Sequence, residues 1–300
     1  MEQRIDLAVQ TNNYGTLSSI FSSIPAQQVQ TWQSLGQGEQ RTLAAHFIKS
    51  AVSSKTFLPL AFSSPSAVAV MRTTLGHLPP TVDNAADNRL RRLLFEHLVS
   101  EDVQDYRLAA SILSGTRSED TDELSVYYAP PATRCDVHVK IAECFLQVDD
   151  VIEADAAVVR AGGVMEAIEL PDEHVALVLC YRFVYARILD ANRKFLAAAT
   201  KYLELSQVGA AGADSGVALV NNGLVDEEDL LVMLGRAATC AILAPSSPQR
   251  QRVLGLVSIL ILLSLSLLFY CNYCCNIIII FFIIQHLGSL TYSFTHSLTY

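Results

Sequence analysis

The sequence predicts an all-α protein, a helical-repeat (TPR-like) α-solenoid followed by an apolar tail helix. Three observations lead to this prediction: apolar residues at helical spacing, an internal repeat of 44–45 residues, and a tail without charge. All 21 Lys and Arg and all 30 Asp and Glu lie in residues 1–252. The composition therefore divides the chain at one point into two pieces that must be interpreted separately.

Residues 1–88 are predicted to form an irregular N-terminal helical region. Apolar residues recur at helical spacing only in short stretches, such as Leu43, Phe47 and Ala51. Prolines interrupt these stretches, most clearly at Pro79-Pro80. These interruptions favour about four short helices in this region.

Residues 89–252 are predicted to form the repeat solenoid. A large residue, an Ala three positions later and a second large residue four positions after that recur three times, 45 and then 44 residues apart. The small Ala would let paired helices approach closely, and units of this size bury their apolar faces only by stacking. The predicted packing positions are Tyr106, Ala109 and Leu113, then Val151, Ala154 and Val158, then Phe195, Ala198 and Tyr202.

Two further helices support the repeat. A helix predicted over Asp172–Asp190 is apolar on two sides, which is typical of a helix packed between neighbours. Another opens at the four acidic residues from Asp226, where the helix dipole favours negative charge, and ends before Pro245.

The sequence shows no pattern for catalysis, for a cofactor or for a metal. The net charge of −9 argues against a nucleic-acid-binding protein. There is no Gly-Lys-Thr phosphate loop, no His-Glu-x-x-His, no His-x-His and no Gly-x-Ser-x-Gly. Cys271 and Cys274 have the spacing of half a zinc site, but no second pair follows. We therefore expect a protein that is not an enzyme and binds no cofactor.

Cysteine usage indicates the compartment. The cysteines before residue 252 are scattered without a pairing pattern, which is typical of reduced thiols in a cytoplasmic or nuclear protein. The first residues contain no apolar stretch of the kind found in secretory signals.

The stretches 139–156 and 180–206 resemble the repeats of the COP9 signalosome subunit 4 family of PCI-domain proteins. Residues 237–254 continue the resemblance, which is specific over about residues 137–255 and extends back to about Leu90. Subunits of the proteasome lid share this architecture, and a subunit of that type is an alternative.

The resemblance implies a non-catalytic scaffold in a complex that removes the ubiquitin-like Nedd8 from cullins. Other signalosome subunits and cullin-RING ligases are the implied partners. In the family a winged helix follows the solenoid, but here the family pattern ends after Gly255, so that part is expected to be missing. Within the implied repeat arm, four basic residues are the predicted partner-binding set, and a solvated helix edge is the alternative. These residues are Arg182, Arg187, Arg193 and Lys194.

The tail, residues 253–300, has two interpretations. Val253–Tyr270 is an uncharged stretch of 18 residues preceded by Arg250 and Arg252. Such a stretch is long enough for a bilayer core of roughly 30 Å. The chain would then be a membrane adaptor that is anchored through residues 253–285 and presents its helical repeats as a protein-binding surface. Alternatively, the low complexity of the tail, with Ser-Leu-Thr-Tyr at both 289 and 297, is typical of a translated intron.

Overall fold

The computed structural model describes residues 1–21, 35–54, 56–77, 84–116, 128–168, 171–207 and 227–270. In the last helix, side chains are described as far as Leu262. The described residues form helices and no β-strand, which confirms the predicted all-α class. The α-helices are α1 (Glu2–Gln10), α2 (Tyr14–Phe21), α3 (Gln37–Ser53), α4 (Phe57–Ala61), α5 (Pro65–His77), α6 (Asn84–Val99), α7 (Tyr106–Ser114), α8 (Pro131–Gln147), α9 (Val151–Met165), α10 (Val175–Ala191), α11 (Phe195–Ser206), α12 (Glu227–Leu243) and α13 (Pro248–Tyr270).

The chain divides into two compact units, Met1–Asn192 (unit 1) and Arg193–Tyr300 (unit 2). The boundaries predicted at residues 88 and 252 remain predictions. Pro79-Pro80, Asp226 and the Cys271–Cys274 pair lie outside the described residues.

In unit 1 helices pack on their neighbours in chain order and, in its first part, also across intervening helices. In this unit α1 packs on α2 and α3, α6 on α3 and α7, α7 on α8, and α8 on α9. One continuous apolar core runs through these contacts from Ile5 to Ile188. The stacking of successive helix pairs is the arrangement that a helical-repeat sequence predicts.

The first part of unit 1 is more regular than its sequence suggests. The described residues among 1–77 form five helices, the shortest of which is α4. An aromatic cluster joins α2, α3 and α4: the ring centroids of Phe21 and Phe47 are 5.3 Å apart, and those of Phe47 and Phe57 are 6.1 Å apart. Phe47 and Phe57 are fully buried, so this cluster is part of the core.

A buried arginine ties three helices of unit 1 together. The Nε of Arg91 on α6 donates to Oδ2 of Asp87, 3.0 Å away and one helical turn earlier. Its Nη1 donates to the carbonyl of Ile112 at 3.0 Å, and its Nη2 to the carbonyl of Leu75 at 3.1 Å. Both carbonyls belong to final turns, of α7 and α5, where the regular hydrogen bonds of a helix run out. The carbonyl of Ile112 also accepts from the amide of Gly115 at 3.3 Å. Arg91 therefore donates hydrogen bonds to the C-terminal ends of two helices.

The helix predicted over Asp172–Asp190 consists of two elements. A 3₁₀ turn spans Pro171–His174, and α10 begins at Val175. In unit 1, α10 packs against both α8 and α9. Contact on two sides agrees with its two apolar faces.

Unit 2 has its own small core. In this unit α11 packs on α12 and α13, and Leu234, Ala237 and Ala241 of α12 are buried. α12 ends at Leu243, two residues before Pro245, as the sequence predicts. Residues 271–300 of the predicted tail lie outside the described part of the chain. Among the residues that are described, none of the helices combines the length and the apolar character needed to cross a membrane.

Candidate partner-binding surface

The turns between paired helices share one backbone conformation. Asn12, Gln104, Asp149 and Arg193 have φ angles of 53°, 50°, 57° and 57°. Each lies two residues before the first residue of a second helix, which is α2, α7, α9 or α11. A left-handed backbone is uncommon for residues other than glycine. Its recurrence at one position therefore shows that the four turns are structurally equivalent.

The residue after the left-handed position caps the following helix in three of the four turns. Oδ1 of Asn13 accepts a hydrogen bond from the amide of Thr16 at 3.0 Å, and Oδ1 of Asp105 accepts one from Leu108 at 3.1 Å. Oδ1 of Asp150 is 3.4 Å from the amide nitrogen of Glu153. Such caps satisfy amides that the first turn of a helix leaves without a partner.

The fourth turn breaks this rule. Lys194 occupies the N-cap position of α11 and makes no side-chain cap. A positive charge at a helix N-terminus is opposed by the helix dipole. Arg193 precedes it in the left-handed conformation, and both side chains are exposed. This turn therefore presents two positive charges at a position where local stability favours Asn or Asp.

The four predicted basic residues divide between the two units. Arg182 and Arg187 lie on α10 in unit 1, whereas Arg193 and Lys194 open unit 2. Arg182 is exposed, and the guanidinium carbon of Arg187 lies 5.7 Å from the ring centroid of Phe183. In the described part of the chain, no carboxylate lies within ion-pair distance of Arg182, Arg193 or Lys194.

The predicted packing positions occupy equivalent places in their helices. In each copy the first large residue is partly buried, the Ala is fully buried and the second large residue is buried. The second helix of each copy begins at the first large residue, which is Tyr106, Val151 or Phe195. A fourth set, which the sequence comparison missed, is Tyr14, Leu17 and Phe21 of α2, where Leu replaces the central Ala.

Cys135 and Cys144 of unit 1 are buried and do not have the character of nucleophiles. Burial, with a smaller contribution from Asp136, raises the pKa of the Cys135 thiol to about 11. Burial and then Glu143 raise the pKa of Cys144 to about 12. Both thiols are therefore protonated at neutral pH, whereas reactive cysteines are thiolates. In the described part of the chain, no three His, Cys, Asp or Glu side chains lie close enough together to hold a metal ion.

Comparison with known proteins shows which proteins this chain is similar to. A protein from Arabidopsis thaliana described as COP9 signalosome complex subunit 4 is 32% identical over 188 residues, which cover 62% of this chain and 43% of the relative. The protein of that description from Emericella nidulans is 32% identical over 169 residues, 56% of this chain and 36% of the relative. The one from Drosophila melanogaster is 30% identical over 157 residues, 52% of this chain and 33% of the relative.

Over the matched residues, the chain is therefore similar to COP9 signalosome complex subunit 4 proteins. The predicted resemblance to these proteins is thereby confirmed. No family model matches the chain. The chain spans less than half the length of these three relatives.

Proposed function

We propose that this chain is a non-catalytic scaffold subunit of a COP9 signalosome-type complex. The observation that carries the proposal is the similarity to subunit 4 proteins from a plant, a fungus and an insect. The stacked helix pairs of unit 1 support it, because such repeats present extended surfaces to other proteins. The other subunits of the complex are the proposed partners.

The similarity to subunit 4 proteins also supports a more specific role in the complex. As a scaffold of this complex, the chain would support removal of Nedd8 from cullins, with the chemistry carried out by another subunit. Cullin-RING ligases would then be indirect partners, in the cytoplasm and the nucleus. The protonated thiols of Cys135 and Cys144 are consistent with a chain that supplies surfaces and not a nucleophile.

Co-expression tests the proposal directly. We expect the full chain, produced together with the other signalosome subunits, to co-elute with them in size-exclusion chromatography at equal stoichiometry. Elution apart from all of them would contradict the proposed function. Carbonate-resistant membrane association without those subunits would instead favour the tail-anchored adaptor.

We further propose that Arg193 and Lys194 contact an acidic surface on a partner protein. Lys194 stands where three equivalent turns have Asn or Asp, so the chain forgoes a cap that is typically worth about 1 kcal/mol. Residues that reduce local stability in this way are expected at functional positions. Arg182 and Arg187 would extend the same role on α10.

A single substitution tests the effect of Lys194 on stability and its effect on partner binding at the same time. Replacing Lys194 with Asp should raise the free energy of unfolding by about 1 kcal/mol, because Asp caps α11 and suits its dipole. The same change should weaken co-elution with the other subunits, because it reverses the charge. Urea unfolding and size-exclusion chromatography measure the two effects.

The variant Lys194→Ala is the matched control, since it removes the charge without adding a cap. It should weaken co-elution without the gain in stability. Complexes that form equally well with both variants would reject a role for Lys194 in binding.

A further inference from the structure

One face of α9 in unit 1 is apolar and exposed to solvent. Ile152 is 82% exposed and Val159 is 66% exposed. Ala156 and Gly163 are also exposed. Residues spaced by three and four positions lie on the same side of a helix, so these four form a single stripe. We call it the α9 stripe.

The repeat itself does not require an apolar stripe at this place. The equivalent positions of α7, 45 residues earlier, are Arg107, Ser111 and Ser114, and all three are exposed. The second helix of the preceding pair therefore presents a polar face to water where α9 presents Ile, Ala and Val. An exposed apolar patch on one unit of a repeat indicates a binding surface.

The shape of the α9 stripe suits another helix. Large residues at Ile152 and Val159 alternate with the small residues Ala156 and Gly163, which leaves room for the side chains of a facing helix. A Cβ placed on Gly163 would meet no atom within 4 Å, so that position is open.

The charges that flank the α9 stripe define the partner. On the helical wheel, Asp155 and Glu166 lie along one flank, and Glu153 and Arg160 lie along the other. Arg160 is the only basic residue of α9, and its Nε donates to the carbonyl of Ala156 at 3.2 Å. Three carboxylates against one guanidinium favour a partner with basic residues beside its apolar contact.

We propose that the α9 stripe docks an amphipathic helix from another subunit of the signalosome-type complex, with Leu, Ile or Met facing Ala156 and Gly163 and with Lys or Arg along its edges. The interaction is of the type in which an amphipathic helix lays its apolar face along a complementary surface. This inference rests on the proposed function, because the partner is a subunit of that complex.

The test uses the full chain co-expressed with the other signalosome subunits. The double variant Ile152→Ser with Val159→Ser should reduce the fraction of the chain that co-elutes with the complex by about tenfold or more, since central apolar contacts dominate such interfaces. Glu166→Lys should also reduce it, although Lys at the end of α9 suits the helix dipole. Far-UV circular dichroism of each variant reports whether the helices remain formed.

Leu7→Ser is the matched control, because Leu7 is 62% exposed on α1 and lies outside the α9 stripe. It should co-elute like the unmodified chain. A photo-crosslinking residue in place of Ala156 should join the chain to another subunit.

The outcomes separate this inference from the proposed function. If the unmodified chain enters the complex and the double variant enters equally well, the α9 stripe is not a docking surface. Crosslinking of Ala156 to a second copy of this chain would also overturn the inference. If the unmodified chain does not enter the complex, the proposed function fails and the α9 docking surface fails with it.

Discussion

Replacing Arg91 with Met is expected to lower the free energy of unfolding by about 3–5 kcal/mol. The change leaves the buried carboxylate of Asp87 without the guanidinium that pairs with it at 3.0 Å. It also removes the guanidinium donors to the carbonyls of Ile112 and Leu75 at the ends of α7 and α5, although the carbonyl of Ile112 still accepts from the amide of Gly115 at 3.3 Å. Buried acceptors that lose their donors cost more than the bonds contribute. Thermal unfolding followed by circular dichroism should show a midpoint lower by about 10 °C.

Arg92 provides the control for this prediction. It is the next residue of α6, it is exposed, and Arg92→Met should change the free energy of unfolding by no more than about 0.5 kcal/mol. Replacing Asp87 with Leu together with Arg91→Met should recover part of the loss, because no buried carboxylate then remains. Equal melting of Arg91→Met and Arg92→Met would show that the arginine does not hold the helix ends.

The position of Arg91 also explains why glycine suits position 115. A Cβ on Gly115, the residue that follows α7, would collide with the guanidinium of Arg91. A side chain at this position would therefore displace the guanidinium from its hydrogen bonds, which favours glycine.

The sequence predicts the all-α class and three repeat copies because these depend on local spacing. The Tyr106, Val151 and Phe195 copies share an Ala in the middle position, and that small residue makes them visible. The α2 copy has Leu17 in that position, and the α3–α5 helices separate it from the others. Only the backbone of the turn, with Asn12 at φ 53°, shows that it is equivalent.

Local spacing in the sequence does not predict the hydrogen bonds of Arg91 to two helix ends. Its two carbonyl acceptors, those of Leu75 and Ile112, are 16 and 21 residues away from Arg91. No helical period relates residues at these separations, so the sequence places Arg91 beside an apolar face without distinguishing it from Arg92. The spatial approach of three helices decides which of the two is buried.

The candidate surface is predictable in part. Sequence alone identifies the basic residues Arg193 and Lys194 as a positive group on an acidic chain. It does not show that Lys194 stands at an N-cap, because that depends on where α11 begins. The α9 stripe was missed for a related reason: Ile152 and Val159 look like core residues until the packing shows which side of α9 faces α8.

Replacing Ala198 with Leu tests the packing of the third repeat copy, and the expected cost is about 1–3 kcal/mol. Ala198 is fully buried on α11, which packs on α12 and α13 within unit 2. Three additional carbons at this point must displace a neighbouring helix or force side chains from their preferred rotamers. Urea unfolding of the full chain measures the change in the free energy of unfolding.

Ala197→Leu is the matched control, because Ala197 is the preceding residue of the same helix and is exposed. It adds the same atoms and the same helix propensity, so any effect shared by the two variants does not come from packing. We expect the control to lie within about 0.5 kcal/mol of the unmodified chain. Equal stability of the two variants would mean that the large–Ala–large pattern does not mark the buried contacts of α11 within unit 2, and the repeat register would then have to be redrawn from the turns alone.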